Sequence, residues 1–259
     1  MPGVSVIIPV YNSAQHITAC IDSLLEQTMD SLELVFIDDH GQDNAMEIAR
    51  QCLQDYVGPK TFRFVQTPFN SGPGVARNIG IQASSGDYLC FVDSDDTVTP
   101  DFCEALYAAA TQGQAEMCCC DIIIGRKIHE NPSPSDKRHF LLHFVSYFTT
   151  FLYKRTLLIE NNILFPSTKS AEDTCFLTTC LLAANHIVGI RGAKYLYRIN
   201  PDSVSRKRSR QRALQRISSF RYLLRFAWRH GLLCSYSLEL AILFLKKGLA
   251  MSLKDLIVG

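Results

Sequence analysis

The residues most able to do chemistry are aspartates in one short segment. Asp93, Asp95 and Asp96 follow directly on the apolar run 89–92. Carboxylates this close repel one another, so they need a cation or hydrogen-bond donors nearby. Carboxylate oxygens suit Mg²⁺ or Mn²⁺, which keep water ligands and bridge phosphate oxygens. The segment therefore predicts a hard-metal site facing a phosphorylated ligand; the alternative is an ordinary acidic turn that caps the following helix.

The first half of the chain supplies the elements that must position these acids, because strand-like and helix-like segments alternate there. This alternation predicts right-handed crossovers and a parallel sheet with helices on both faces. The carboxyl ends of such strands meet at one edge, where ligands bind, so Asp38 and Asp39 are expected beside the aspartates of 93–96. The predicted strands are 4–10, 32–38, 62–67, 88–93 and 116–124. The first predicted helix begins after Asn12 or Ser13, and the others span 43–56, 73–84 and 99–113. The last of these is capped by Thr99 and has Pro100 as its first residue.

The second half has a looser pattern and ends in a basic tail. Residues 206–229 contain nine Arg or Lys, no acid, and an apolar stripe ahead of Trp228. A basic amphipathic helix of this kind is typical of membrane surfaces. The alternative is that the stripe packs on the rest of the chain, or on a second copy in a homodimer. The stripe comprises Leu214, Ile217, Phe220, Leu223, Leu224 and Ala227. Before the tail, the sequence predicts a loop at 129–139, helices near 154–161 and 172–184, and a strand near 193–199.

Composition argues against several classes of protein. The chain has 259 residues, is 47% apolar and carries a net charge of +1, so it can bury a core and has no overall field for nucleic acid. The sequence has no run of about 18 apolar residues, so no membrane-spanning helix is predicted. The first segment is uncharged and its apolar run is interrupted by Pro9 and Asn12, so it does not resemble a signal peptide. The ten cysteines lack CxxC spacing, so buried thiols in a reducing cytosol are expected rather than a metal cage.

Five segments, taken together, resemble the family 2 glycosyltransferases, which have the GT-A fold. They are VSVIIPVYN, VFIDDHGQDNAMEIA, NSGPGVARNIGI, VDSDD and SAEDTCF, in that order between residue 4 and about residue 206. The fourth segment resembles the DxD motif; alone it is unspecific, whereas five in order are specific. The resemblance implies an α/β, Rossmann-like and mostly parallel central sheet with helices on both faces. It implies a glycosyltransferase domain at 1–205, with a donor half at about 1–125 and an acceptor half at about 126–205, before the helical tail 206–259.

The resemblance also implies roles for residues of the donor half. Pro9 and Tyr11 are expected to pack on the nucleobase, and Asp39 to read the base or ribose by hydrogen bonding. Arg77 is expected to assist donor binding; its alternative is a surface salt bridge. The segment 93–95 completes the donor set: Asp93 on the ribose, Ser94 beside it, and Asp95 holding Mn²⁺ or Mg²⁺ on the diphosphate.

In the acceptor half, the resemblance implies that Asp173 is the general base. Glu172 beside it is expected to steer the acceptor or an ordered water. A sugar hydroxyl has a very high pKa and needs a positioned carboxylate to take its proton. Direct attack opposite the leaving group inverts the anomeric carbon. The alternative for Asp173 is an acid stabilised by the dipole at the start of the predicted helix 172–184.

One segment departs from the family pattern. YLYRINPDSVS, residues 195–205, resembles a late family segment in which histidine often stands where this chain has Asn200. Asn200 can offer only a carbonyl oxygen, so it is expected as a weak third metal ligand. Ser203 is expected on the donor phosphates.

Together these features predict an inverting, metal-dependent glycosyltransferase that moves a sugar from a nucleotide-diphosphate donor, such as a UDP-sugar, to a saccharide or lipid-linked acceptor. The expected setting is cell-surface polysaccharide synthesis by a cytoplasmic protein, peripheral on the inner face of the plasma membrane. A nucleotidyltransferase that makes nucleotide sugars is one alternative, but it would carry a Gly-rich basic loop after the first strand, where this chain has VYNSAQH. The other is an inactive sugar- or lipid-binding module.

Overall fold

The computed structural model describes residues 2–199 and 209–252, and it contains one mixed sheet with helices on both sides. The strands are β1 (Val4–Val10), β2 (Leu32–Asp38), β3 (Thr61–Gln66), β4 (Tyr88–Phe91), β5 (Thr97–Val98), β6 (Met117–Ile124), β7 (Lys127–His129), β8 (Phe151–Lys154) and β9 (Ile187–Tyr197). The α-helices are α1 (Ile17–Leu25), α2 (Ala45–Gln54), α3 (Pro73–Ala83), α4 (Phe102–Gln112), α5 (Lys137–His143), α6 (Arg155–Glu160), α7 (Glu172–Ala183), α8 (Arg210–Arg229) and α9 (Ser237–Leu243), and a π-helical segment, Phe244–Leu249, follows α9.

The sheet order is β3-β2-β1-β4-β8-β6-β9-β5, with β7 paired to β6. The half from β3 to β4 is parallel, as expected. Beyond β4 the direction changes, because β8 pairs antiparallel with both β4 and β6. The expected mostly parallel sheet is therefore a mixed one. The sequence analysis contained no strand at 151–154.

Both faces of the central strands β1, β2 and β4 are buried, which explains why these strands are mostly apolar, whereas the edge strand β3 is partly exposed. Ile7 of β1 belongs to the core under α3, α7 and α8. Its neighbours Val6 and Ile8 belong to the opposite core, under α1, α2 and α4. Successive side chains of a strand point to opposite faces, so a strand covered on both sides is mostly apolar, and its buried polar residues, Ser5 and Glu33 here, pair with each other.

Two predicted helix starts are wrong. Helix α4 begins at Phe102, and its N-cap position is Asp101 rather than Thr99. Thr99 instead extends the contact between β5 and β9, since its N–H donates to the Lys194 carbonyl at 3.0 Å and its hydroxyl accepts from the Lys194 N–H at 2.9 Å. Helix α1 likewise starts later than predicted, with His16 at its N-cap position. In both cases the preceding residues make other contacts.

The C-terminal helices pack on the rest of the chain. Phe220, Leu223 and Ala227 of α8 are buried in the core that contains α7. Ser219 Oγ also donates to the Ser170 carbonyl at 2.7 Å. The predicted apolar stripe is therefore divided, because Leu214 on the same helix is 69% exposed. Packing thus accounts for one face of α8 and leaves another face in solvent.

Candidate active site

The first acid after β4 pairs with a buried arginine. Nη2 of Arg77, on α3, lies 2.6 Å from Asp93 Oδ1, and its guanidinium lies 4.5 Å from the centre of the Phe148 ring. Burial alone would lower the pKa of Arg77, but Asp93, with smaller contributions from Glu172 and Asp173, raises it above the usual value. Arg77 is therefore buried beside a partly exposed Asp93, unlike the surface salt bridge considered as the alternative. Its position links Asp93 electrostatically to the acids of α7.

Asp96 is occupied by contacts within the protein. Its Oδ2 accepts from the Tyr195 hydroxyl at 2.7 Å, and its Oδ1 accepts from the Arg198 N–H at 2.7 Å. The Tyr195 hydroxyl also accepts from the Asp93 N–H at 3.0 Å. Burial and the adjacent Asp93 raise the pKa of Asp96 to about 8. Asp96 and Tyr195 therefore hold the turn in place.

Asp95 is the carboxylate of this turn left for a ligand. The side chain is half-buried, and in the part of the chain that the structure describes it accepts no hydrogen bond from another residue. Burial and then Asp93 raise the pKa of Asp95 above its ordinary value. Ser94, between the two acids, is buried. An unpaired carboxylate held in a strongly acidic turn can bind a cation.

The end of β2 has one acid turned to the protein and one turned to a pocket. Asp39 is buried and accepts from the N–H groups of Ser71 at 2.8 Å and Gly72 at 2.9 Å and from the Thr67 hydroxyl at 3.0 Å. It thereby holds the loop that leads into α3. Asp38 instead lines a pocket of about 210 Å³ with the half-exposed ring of Tyr11.

This pocket has the position expected for the nucleobase, and its walls come from the turns after β1 and β2. Asn12, His40 and Gln66 also line it, and Gln66 Nε2 donates to Asp38 Oδ2 at 3.0 Å. Pro9 lies just upstream in β1, paired with Ile37. The sequence analysis missed Asp38 as a pocket residue because two adjacent aspartates at a strand end cannot be ranked without knowing which one the loop uses. The base-reading role of Asp39 stays a prediction.

The acids at the start of α7 form a coupled pair. Asp173 Oδ1 accepts from the Thr174 N–H at 2.6 Å. Burial raises the pKa of Asp173, although the Thr174 N–H and Arg77 oppose the rise. Burial and the charge of Asp173 raise the pKa of Glu172 to about 7. Near neutral pH Glu172 therefore takes up a proton readily.

The donor and acceptor halves meet at the start of α3. A methyl group placed on Gly74 would lie 3.2 Å from the Pro166 carbonyl oxygen and 3.6 Å from Glu172 Cγ. The absence of a side chain there lets α3, with Arg77, approach α7 and the loop before it. The structure thus brings Asp93, Glu172 and Asp173 around Arg77, with Asp95 beside Asp93; this region between β4 and α7 is called the cleft below.

Two tyrosines of this cleft were missed by the sequence analysis. The rings of Tyr147 and Tyr197 have centroids 5.6 Å apart. Burial and then Asp173 raise the pKa of Tyr147, and burial, Tyr147 and the aspartates of 93–96 raise the pKa of Tyr197. Tyr197 lies in the late segment that resembled the family, so a signal existed; Tyr147 lies outside every motif. The predicted Asn200 and Ser203 lie outside the described residues.

Comparison with known proteins identifies the family. The sequence pattern described as glycosyl transferase family 2 matches residues 5–177. The chain belongs to glycosyl transferase family 2. The family predicted from the five motifs is therefore confirmed, and the motifs that carried the prediction lie within the matched residues.

Relatives of this family 2 glycosyltransferase come from bacteria. It is 31% identical over 222 residues to the uncharacterized glycosyltransferase EpsJ of Bacillus subtilis (strain 168), covering 79% of this chain and 63% of the relative. It is 32% identical over 213 residues to a poly(ribitol-phosphate) beta-glucosyltransferase of Bacillus spizizenii, covering 77% of this chain and 32% of the relative. The chain thus spans less than two thirds of the length of these curated relatives.

Solved structures confirm the GT-A fold. Residues 1–349 of S. aureus TarS in complex with UDP-GlcNAc match with a TM-score of 0.69 and 25% identity, covering 95% of this chain and 76% of that one. The same protein in complex with UDP matches with a TM-score of 0.66, 25% identity and coverage of 95% and 75%. The predicted α/β fold, with helices on both sides of a central sheet and a helical C-terminal segment, is therefore confirmed apart from the direction of the later strands.

Proposed function

We propose that this chain is an inverting, metal-dependent glycosyltransferase that uses a nucleotide-diphosphate sugar and a saccharide or lipid-linked acceptor in cell-surface polysaccharide synthesis. The observation that carries the proposal is the group of charges around Arg77: Asp93, Glu172 and Asp173 raise the pKa of Arg77, and Asp95 lies beside Asp93 with no hydrogen bond from another described residue. The side with Asp93 and Asp95 suits the diphosphate of a donor. The side with Glu172 and Asp173 suits the hydroxyl nucleophile of an acceptor. Arg77, buried between them, fixes both sides relative to each other.

A UDP-sugar is the proposed donor. The pocket of about 210 Å³ beside Tyr11 and Asp38 has room for a nucleobase stacked on an aromatic ring. The UDP and UDP-GlcNAc complexes of TarS support this choice. Asp93 and Asp95 then lie on the side of the ribose and diphosphate.

The carboxylates at the end of β4 fit a divalent cation. Within residues 2–199 and 209–252 no three His, Cys, Asp or Glu side chains form a complete metal cage. Mg²⁺ at phosphate sites needs only one or two carboxylates, because water and substrate phosphate complete its shell. Asp95 and the second oxygen of Asp93 can supply these. Bound Mn²⁺ or Mg²⁺ would neutralise the negative charge that develops on the leaving diphosphate.

Asp173 is the proposed base. The Thr174 N–H and Arg77 stabilise its carboxylate and oppose the rise in pKa that burial causes. The second carboxylate oxygen of Asp173 takes the proton of the acceptor hydroxyl. The oxygen of that hydroxyl attacks the anomeric carbon at the same time. The bond to the diphosphate breaks on the opposite face, so the configuration at that carbon is inverted and no protein nucleophile is required.

A donor panel tests the reaction class. The chain should release nucleoside diphosphate from at least one nucleotide sugar in the presence of Mn²⁺ or Mg²⁺, with UDP-sugars first in rank. Pyrophosphate release from a nucleoside triphosphate and a sugar phosphate would instead show a nucleotidyltransferase. Donor binding by thermal shift with no release of either product, in the presence of acceptor saccharides, would show a binding module and contradict the proposal.

The solvent face of α8 supports a peripheral place on the inner face of the plasma membrane. Leu214 is 69% exposed and Trp228 is 70% exposed on a helix that also presents Arg210, Arg221 and Arg225 to solvent. Exposed apolar side chains among basic ones are typical of interfacial helices. No helix within the described ranges is long and apolar enough to cross a bilayer. A homodimer through the same face is the competing arrangement.

Flotation with anionic vesicles separates these two arrangements. The double variant Leu214→Ser with Trp228→Ser should reduce the vesicle-bound fraction at least about tenfold, because each large apolar side chain contributes about 1.5–3 kcal/mol when buried. A matched control is Val57→Ser with Phe69→Ser, which removes side chains that are 98% and 68% exposed elsewhere. Equal flotation of both variants would contradict membrane binding by α8, and loss of a dimer in the α8 variant alone, measured by sedimentation, would favour the homodimer.

A further inference from the structure

A second concave site lies between the loop after α6 and the outer half of α8. It encloses about 420 Å³, which makes it larger than the pocket beside Tyr11. One wall is the loop 161–168, and the other is α8. The side chains that give it its character are Arg221, Arg225, Arg229, His230, Asn162 and Ser167.

The lining is cationic and contains no acid. Arg221, Arg225 and Arg229 are exposed, and within the described residues none of them forms an ion pair or a hydrogen bond. Their spacing of four residues places them in a row on one side of α8, where like charges repel. Positive charges that converge on a concave surface raise the local concentration of anions. The site therefore lacks the counter-charge that the fold supplies to Arg77, Arg138 and Arg191.

The walls are held in place before any ligand binds. The Leu164 N–H donates to the Tyr222 hydroxyl at 3.0 Å, which joins the loop to α8. Asn78 makes two bonds to the backbone of Phe165, at 2.8 Å and 2.9 Å. Because the Tyr222 hydroxyl accepts from the loop, its own proton remains available to the pocket. His230 is fixed by stacking on Phe226, with ring centroids 4.1 Å apart.

We infer that this pocket binds a phosphate ester at a position separate from the nucleotide-sugar site. Guanidinium groups bind phosphate through paired N–H donors, and hydroxyl and amide groups around them suit the polyol part of an ester. The volume accommodates a phosphate with a small polyol but not a nucleic-acid helix. The ester belongs either to a phospholipid headgroup or to a soluble phosphate-bearing acceptor.

The separation from the donor site follows from the helix itself. Arg212 acts on the charge of Glu172 and so marks the end of α8 near the cleft. Arg221 lies nine residues further along, or about 13 Å at 1.5 Å per residue. The loop that forms the other wall continues directly to Ala171 and Glu172. A phosphate in this pocket is thus next to the acceptor side of the cleft without touching its acids.

Binding of sn-glycerol 3-phosphate by the full chain tests the inference. Calorimetry is carried out with UDP and Mn²⁺ in excess, so that a phosphate site in the donor pocket is filled. One-to-one binding should persist under these conditions, and Arg221→Gln with Arg225→Gln should weaken it at least about tenfold, because two charge-assisted bonds are lost. The matched control, Arg210→Gln with Lys246→Gln, removes two exposed charges outside the pocket and should bind within about twofold of the parent chain.

A second arm uses vesicles with and without phosphatidylglycerol. If the pocket variant, unlike the control, loses both glycerol-phosphate binding and vesicle binding, the ester is a lipid headgroup. If it loses glycerol-phosphate binding alone, the ester is soluble. Either outcome supports the inference. Equal behaviour of pocket variant and control in both arms overturns it, as does binding that UDP abolishes. Neither arm measures sugar transfer, so these outcomes are independent of the proposed reaction. Thermal melting of both variants verifies that they are folded.

Discussion

Replacement of Asp173 by Asn is expected to lower the rate of sugar transfer by about 10²–10⁴-fold, the usual contribution of a general base. The amide keeps the shape of the side chain and can still accept from the Thr174 N–H, but it cannot take the proton of the acceptor hydroxyl. Donor affinity should stay near that of the parent chain, since the proposed role of Asp173 is on the acceptor side. Transfer rates and donor binding by thermal shift, measured on the same protein, check both statements.

The pH dependence supplies an independent check. A carboxylate base works in its deprotonated form, so the rate should rise with pH through the apparent pKa of the coupled pair. Because burial raises the pKa of Asp173 and raises that of Glu172 to about 7, the loss of rate on acidification should begin near neutral pH. The Asn variant should lose this dependence, and Asp101→Asn, the matched control at an exposed acid, should retain it. Collapse of donor binding in Asp173→Asn would place the residue in the donor site instead.

Replacement of Asp95 by Asn is expected to abolish metal-dependent turnover while leaving the fold intact. The carboxylate of Asp95 accepts no hydrogen bond from another described residue, so no structural contact is lost with it. Removing one of the three acids of this turn also relieves repulsion with Asp93, so the melting temperature without metal should not fall. Activity across a Mn²⁺ titration and the Mn²⁺-induced rise in melting temperature are the two measurements.

The control for Asp95→Asn is Asp101→Asn, the same change at an exposed acid further along the chain. It should keep the activity and the Mn²⁺ response of the parent chain. If Asp95→Asn also retained activity with an unchanged Mn²⁺ response, the assignment of Asp95 to the cation would be wrong. The end of β4 would then be an acidic turn, as the simpler interpretation of the segment holds.

The parallel half of the sheet and the position of its acids could be predicted from the sequence. Strands β1, β2 and β4 are apolar at consecutive positions, and such runs are typical of strands buried on both faces. Their carboxyl ends had to meet at one edge, which placed Asp39, Asp93 and Asp95 near one another. The motif around Glu172 and Asp173 was found by resemblance, and the helix that begins at Glu172 is where it was predicted.

Other features depend on contacts between residues far apart in the chain. Tyr195 reaches Asp96 across 99 positions because β5 pairs with β9, and no local pattern encodes that register. The antiparallel entry of β8 depends on pairing with β4 and β6, whereas hydrophobic periodicity carries no information on strand direction. Arg77 was found by motif, but its burial under Phe148 follows from the approach of α3 to the loop before α7.

The sequence by itself determined which residue types are available: the acids at strand ends, the acid pair before a helix, and a basic amphipathic tail. Only the tertiary structure decided how each is used. Hydrogen-bond donors from distant segments occupy Asp39 and Asp96 and leave Asp95 for a ligand. Packing buries one face of α8 and leaves three unpaired arginines facing a pocket. A side chain's availability depends on which partners the fold places beside it, and those partners are distant in sequence.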